Sequence, residues 1–299
     1  MLRPMPENPL QNQNEMLVGR YAPSPTGALH LGNLRTALLA WLQIRLQGGR
    51  FLLRMEDLDT PRVVQGSADQ ILKDLEWLGL DWDDEVVYQS HRLDLYQDAL
   101  QELQKKDLVY PCYCSRKDIQ QAASAPHING NIYPGFCRNL TEQQRSEKQQ
   151  KKSPALRVKV EGDLQRSCGD FVIKRADNLF AYQLAVVVDD LEQGVTHVLR
   201  GKDLLDSTER QLYLARKIQP NSQEIRYFHA PLMCDESGAR LSKRDGSLSV
   251  QEYISNGYTP EKMIGELASG LGLLEAPGAL SVNELLATIT EQALNSCIL

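Results

Sequence analysis

One stretch near the start of the chain leaves few folds open to it. Leu17-Val18-Gly19-Arg20-Tyr21 is short and apolar, as a strand is, and the loop Pro23-Ser24-Pro25-Thr26-Gly27 after it suits neither helix nor strand. Leu31, Leu34, Leu38 and Leu42 then recur at helical spacing, and Gly48-Gly49 ends that helix. Phe51-Leu52-Leu53-Arg54-Met55 reads as a second strand, closed by the acidic turn Glu56-Asp57-Leu58-Asp59. Strand, helix, strand in this order implies a parallel sheet with a right-handed crossover, so the expected class is α/β of Rossmann type.

The rest of the chain fills in around that unit. Residues 65–80 and 91–106 have helical apolar spacing, with Trp77, Leu78 and Leu80 on one face and Leu93, Leu95, Leu100 and Leu103 on another. Composition shifts near residue 110, and residues 138–153 are polar and rich in Lys and Gln, so 107–178 reads as an insertion. Apolar runs return at Leu179–Val188 and Val195–Arg200, where the parallel sheet is expected to resume. From residue 245 the pattern is helical. The expected division is a polar leader over 1–15, a catalytic α/β domain over 16–106 and 179–244, the insertion over 107–178, and a small helical subdomain over 245–299.

No run approaches the length of a membrane span, and residues 1–15 have no signal-peptide core, so a cytoplasmic protein without a membrane partner is expected. A net charge of −6 excludes a protein that coats nucleic acid by bulk positive charge. Among six cysteines, Cys112, Cys114 and Cys137 cluster, which points to a metal rather than to disulfides. Three thiolates leave a position that His127 or Tyr133 can fill, histidine being the more usual ligand chemically.

Two segments suit a nucleotide. The loop Arg20–Gly27 runs into His30-Leu31-Gly32-Asn33 at a helix start, where free N–H groups and the helix dipole attract phosphate; His30 adds a donor and Gly32 permits close approach. Far along the chain, Arg240-Leu241-Ser242-Lys243-Arg244 is a basic loop suited to charge building on a phosphoryl group and its leaving group.

These segments resemble the HIGH and KMSKS signatures of class I aminoacyl-tRNA synthetases, in the form seen in the glutamyl and glutaminyl branch. Leu53–Asp59, Tyr182–Asp190 and Arg200–Thr208 match the same branch in the same order. Arg240 departs from the usual lysine, and Lys243 matches the second lysine. The resemblance implies ATP with Mg2+, and sites at His30, Gly32, Asn33, Arg240, Ser242 and Lys243. It implies a glutamate pocket made by Arg20, Tyr21, Ala22, Pro23, Ser24, Glu56, Tyr182 and Arg200. Within it the arginines grip the carboxylates, Glu56 takes the ammonium group, and Ser24 and Tyr182 supply hydrogen bonds.

Chain length and the metal pattern resemble the glutamyl-queuosine tRNA(Asp) synthetases, truncated members without an anticodon-binding domain. That likeness implies a structural Zn2+ on Cys112, Cys114, Tyr133 and Cys137, with His127 the alternative to Tyr133. It further implies a monomer whose partner is tRNA(Asp) carrying queuosine, with a minimal synthetase that charges a tRNA 3′ end, or an inactive RNA-binding paralogue, as the other readings.

Overall fold

The computed structural model describes residues 16–115, 117–119, 132–231 and 248–298. Strand β1 (Val18–Tyr21) is buried throughout, and Gly19 within it lets helix α1 (Leu31–Arg45) pack so close that a Cβ there would overlap Ile44. Ala37 to Ile44 are all buried, so the second half of α1 is covered on every side. The chain turns at Gly48, in the left-handed region at φ 64°, into β2 (Arg50–Met55). Then follow α2 (Ser67–Trp77), β3 (Val87–Tyr88), α3 (Leu93–Lys105) and β4 (Val109–Cys112). After them come α4 (Glu142–Gln149), β5 (Ala155–Val158), α5 (Gly162–Ser167) and β6 (Phe171–Lys174). Next are α6 (Tyr182–Glu192), β7 (His197–Gly201), α7 (Thr208–Ile218) and β8 (Arg226–Ala230). Helices α8 (Val250–Ser255), α9 (Pro260–Gly270), α10 (Val282–Thr288) and α11 (Glu291–Ser296) complete the order.

Five strands form a parallel sheet in the order β3-β2-β1-β7-β8, and β4-β5-β6 form a separate antiparallel sheet. The parallel order reverses direction between β1 and β7. In sheets of this kind the crevice beyond the carboxyl ends of the strands at such a reversal is where ligands bind. Residues of α9, α10 and α11, among them Ile264, Leu267, Leu285 and Leu294, share one core with Leu38 and Leu42 of α1.

One expectation is overturned. The run Leu184–Val188 does not resume the sheet; it lies in α6, and the sheet returns only at β7. Five consecutive apolar residues suit a helix buried on all sides as well as a buried strand. Here α3, β5, β6 and α7 surround the run with Leu100, Leu103, Val158, Ile173 and Leu214. In the polar segment 138–153, α4 forms without a buried face because Thr141 and Gln144 cap each other's backbone.

Candidate active site

The loop after β1 is shaped by its own backbone and by two neighbours. Glu56 N–H donates to Pro23 O at 2.9 Å, and Ser67 Oγ both donates to Gly27 O at 2.8 Å and accepts from Gly27 N–H at 3.1 Å. His30 then caps α1: its Nδ1 accepts from Asn33 N–H at 3.3 Å while Asn33 Oδ1 accepts from His30 N–H at 3.2 Å. An acceptor at Nδ1 places the proton of the neutral ring on Nε2. A Cβ on Gly32 would meet that ring at 3.0 Å, so glycine spares the imidazole a shift where it folds over the first turn.

A buried charge cluster stands at the carboxyl ends of β1 and β2. Arg20 donates to Asp190 through Nε at 3.2 Å and Nη2 at 3.4 Å. Arg54 donates through Nη2 to Asp190 Oδ1 at 2.6 Å and through Nη1 to Gln193 at 2.6 Å. The next carboxylate, Asp189, is held by Arg92 at 2.7 Å, by Gln89 at 2.8 Å and by the Tyr96 hydroxyl at 2.8 Å. Both aspartates are 0% exposed and sit in the last turn of α6, where the helix dipole disfavours negative charge; the arginines offset burial and dipole together. Burial opposes ionisation of Asp190, yet Arg20 and Arg54 against it hold its carboxyl below the usual range.

Glu56 lies 4.0 Å from Arg54 Nη2, and burial pushes its carboxyl up to about 7 even though Arg54 and Arg20 pull the other way. Such a group binds a proton or a cation at neutral pH. On β7, Arg200 has neutral partners: Nη1 donates to Gln211 Oε1, Nη2 to Thr208 Oγ1 at 2.9 Å and Nε to His229 Nε2 at 3.4 Å. Its guanidinium lies over the Tyr227 ring at 4.7 Å. Tyr182, at the first turn of α6, is close enough to Glu56, Arg20 and Arg200 for each to act on its hydroxyl.

These elements bound one cleft of about 820 Å3. Arg20, Tyr21, Ala22, Pro23, Ser24, Glu56, Tyr182 and Arg200 all line it, and so do His30, Gly32 and Asn33. Arg240, Ser242 and Lys243 lie outside the described residues. Sequence reasoning missed the supports: Arg54, Asp189 and Asp190 stood in segments that match the family but were given no role, and Gln211 carried no signal at all.

A second cluster is built by β4 and the loop before α4. The sulfurs of Cys112, Cys114 and Cys137 lie within 4.8 Å of one another. Cys114 and Cys137 Sγ are 3.7 Å apart, close to the roughly 3.8 Å between sulfurs that share a tetrahedral zinc at about 2.3 Å each. The Tyr133 hydroxyl is 3.3 Å from Cys112 Sγ and 3.7 Å from Cys114 Sγ, and it accepts from Cys137 N–H at 2.9 Å. Arg157 lies over its ring at 3.8 Å. The donor set fits a thiophilic cation; His127 falls outside the described residues.

Residues 16–272 match the family of tRNA synthetases class I (E and Q), catalytic domain. Among similar proteins, a glutamyl-Q tRNA(Asp) synthetase of Symbiobacterium thermophilum is 47% identical over 91% of both chains. One of Geobacter sulfurreducens is 51% identical over 78% of this chain and 77% of its own. A solved glutamate-tRNA synthetase of Elizabethkingia anophelis superposes with a TM-score of 0.79 at 27% identity, covering 93% of this chain, which spans 66% of that one. No helix among the described residues is long and apolar enough to cross a membrane.

Proposed function

We propose, from the premise that the chain belongs to the class I tRNA synthetases (E and Q) and among them to the glutamyl-Q tRNA(Asp) synthetases, that it activates glutamate with ATP and passes it to the queuosine base in the anticodon loop of tRNA(Asp). The observation that carries the amino-acid half is the convergence of Arg20, Arg200 and the protonatable Glu56 in one cleft beside the N-terminus of α1. The relatives' names support the acceptor half.

In this reading Arg200 and Arg20 bind the carboxylates of the substrate, Glu56 takes its ammonium group, and Tyr182 and Ser24 add hydrogen bonds. The backbone of the Arg20–Gly27 loop, His30 Nε2 and the start of α1 hold ATP, with Lys243 and Arg240 completing the charge on the phosphates. Placement then brings the substrate α-carboxylate against the α-phosphate, giving glutamyl-adenylate and pyrophosphate; a hydroxyl of the queuosine cyclopentenediol takes the glutamyl group and AMP leaves. Mg2+ accompanying ATP neutralises phosphate charge.

Transfer of labelled glutamate to queuosine-containing tRNA(Asp), compared with unmodified tRNA(Asp) and with tRNA(Glu), tests this directly. Label on the modified tRNA alone, undiminished when the 3′-terminal adenosine has been removed, is the expected result. Label on tRNA(Glu) would make the protein a conventional charging enzyme.

Two further outcomes follow from the geometry. Burial keeps Glu56 protonated until pH rises through about 7, whereas an ammonium ligand selects its ionised form. The ionised fraction grows from roughly 9% at pH 6 to roughly 91% at pH 8, so the KM for glutamate should fall about tenfold across that window. Glu56→Gln should be weak at both values and nearly flat; a wild-type KM independent of pH would remove Glu56 from the ammonium site. At the cysteine cluster we infer structural zinc on Cys112, Cys114, Tyr133 and Cys137. Elemental analysis of Cys137→Ser should show zinc well below the wild-type content, and limited proteolysis should cut the insertion faster; full zinc in that variant would point to other ligands.

A further inference from the structure

The two arginines of the cleft differ in their partners, one having a carboxylate and the other none. Arg20 spends Nε and Nη2 on a carboxylate, Asp190, which it shares with Arg54, and is ion-paired before any ligand arrives. Arg200 is equally buried, at 4% exposed for each, but among the described residues no carboxylate lies within ion-pair distance of it. Its three hydrogen bonds end on an amide oxygen, a hydroxyl and an imidazole nitrogen. His229 can accept from Arg200 only while neutral, and burial together with the arginine lowers its affinity for a proton. Gln211 is 0% exposed, and its amide is fixed at both ends: Oε1 accepts from Arg200 and Nε2 donates to Gln183 Oε1 at 2.9 Å, while Gln183 Nε2 donates to Ser207 Oγ at 2.9 Å. That relay sets the amide so that oxygen, not nitrogen, faces the guanidinium. A glutamate at 211 would occupy the same space and cancel the positive charge.

We propose that Gln211 is the specificity-determining residue of the amino-acid pocket: it orients Arg200 without neutralising it, so that the cleft admits a ligand whose side chain supplies the missing negative charge. This rests on the glutamate reading above and deepens it. Gln211 acts through Arg200 and is a positioning residue; the charge it withholds is what favours a carboxylate over its isosteric carboxamide.

Calorimetric binding of L-glutamate and L-glutamine to the full chain tests it, on wild type, Gln211→Glu and Gln211→Met, with pyrophosphate exchange measured in parallel. Wild type should prefer glutamate by at least about 100-fold, as expected for an uncompensated buried cation facing a charged or a neutral ligand. Gln211→Glu should weaken glutamate about 100-fold and bring the ratio to near or below one, with ATP binding within twofold of wild type. Gln211→Met loses the orienting bond and adds no charge, so both ligands should weaken while glutamate stays preferred. A ratio unchanged in Gln211→Glu, or collapsed equally in Gln211→Met, would overturn the assignment, and so would a wild type without preference. Preference for glutamate with no exchange of pyrophosphate would instead count against the activation chemistry and leave the role of Gln211 standing.

Discussion

Replacing Asp190 with alanine is expected to destabilise the protein by about 3–5 kcal/mol, a large share of the roughly 5–15 kcal/mol available to a folded domain. The cost comes from what is left behind. Arg54, 0% exposed, loses its closest ion-pair partner where no water reaches it, and Arg20, 4% exposed, loses its carboxylate at the wall of the cleft. Asp190→Asn keeps the volume and one acceptor oxygen but sets an N–H2 group against a guanidinium, so it should fall between wild type and alanine. Asp177→Ala, which removes a pair of 45% and 49% exposed side chains on the surface, should change stability by no more than about 0.5 kcal/mol. Chemical denaturation of the three variants gives the comparison. Equal effects from Asp190→Ala and Asp177→Ala would mean that the buried cluster contributes no more than an exposed pair. The pH dependence has a definite sign. Because Arg20 and Arg54 hold the folded-state carboxyl of Asp190 below its usual range despite burial, its contribution is present above the ordinary carboxylate range and is lost only as pH falls through the depressed value.

That cluster also shows where sequence reading stops. The β1-α1-β2 unit was legible because each of its signals agrees: strand-like apolar residues, a loop that excludes regular structure, helical spacing and a glycine exit. The cleft residues were legible as types in a known order, since carboxylate binding needs cations and phosphate binding needs a helix start. Other features depend on contacts far apart in the chain. Arg20 and Asp190 are 170 positions apart, and nothing local to either says that they meet. The run in α6 had the composition of a strand, and only its surroundings, apolar on all sides, decide for a helix. Gln211 is the extreme case. A glutamine in the amphipathic sequence of α7 reads as surface, yet it is fully buried because Arg200 and Gln183 together satisfy its amide.

Arg200→Ala should show the reverse of Asp190→Ala, an enzyme that folds and does not activate glutamate. Removing the guanidinium strands no ion, because the partners it leaves are Gln211, Thr208 and His229, all neutral and all able to take water in the vacated space. The stability cost should therefore stay near 1–2 kcal/mol, from three lost hydrogen bonds and the contact with the Tyr227 ring. The functional cost is larger. A charge-assisted contact between guanidinium and substrate carboxylate in a closed cleft contributes about 3–5 kcal/mol, so kcat/KM for glutamate in pyrophosphate exchange should drop by a factor on the order of 10^2 to 10^4. ATP should bind within about twofold of wild type, since the nucleotide site proposed above, the loop and His30 at the start of α1, does not include Arg200. Arg200→Lys restores a positive charge without the planar fork, cannot reach Gln211, Thr208 and a ligand together, and should recover only a minor part of the loss. If Arg200→Ala activated glutamate as wild type does, Arg20 alone would have to hold the substrate carboxylates. Its bonds to Asp190 use Nε and Nη2, which leaves Nη1 to do so, and the loss predicted for Arg200→Ala would fall on Arg20→Lys instead.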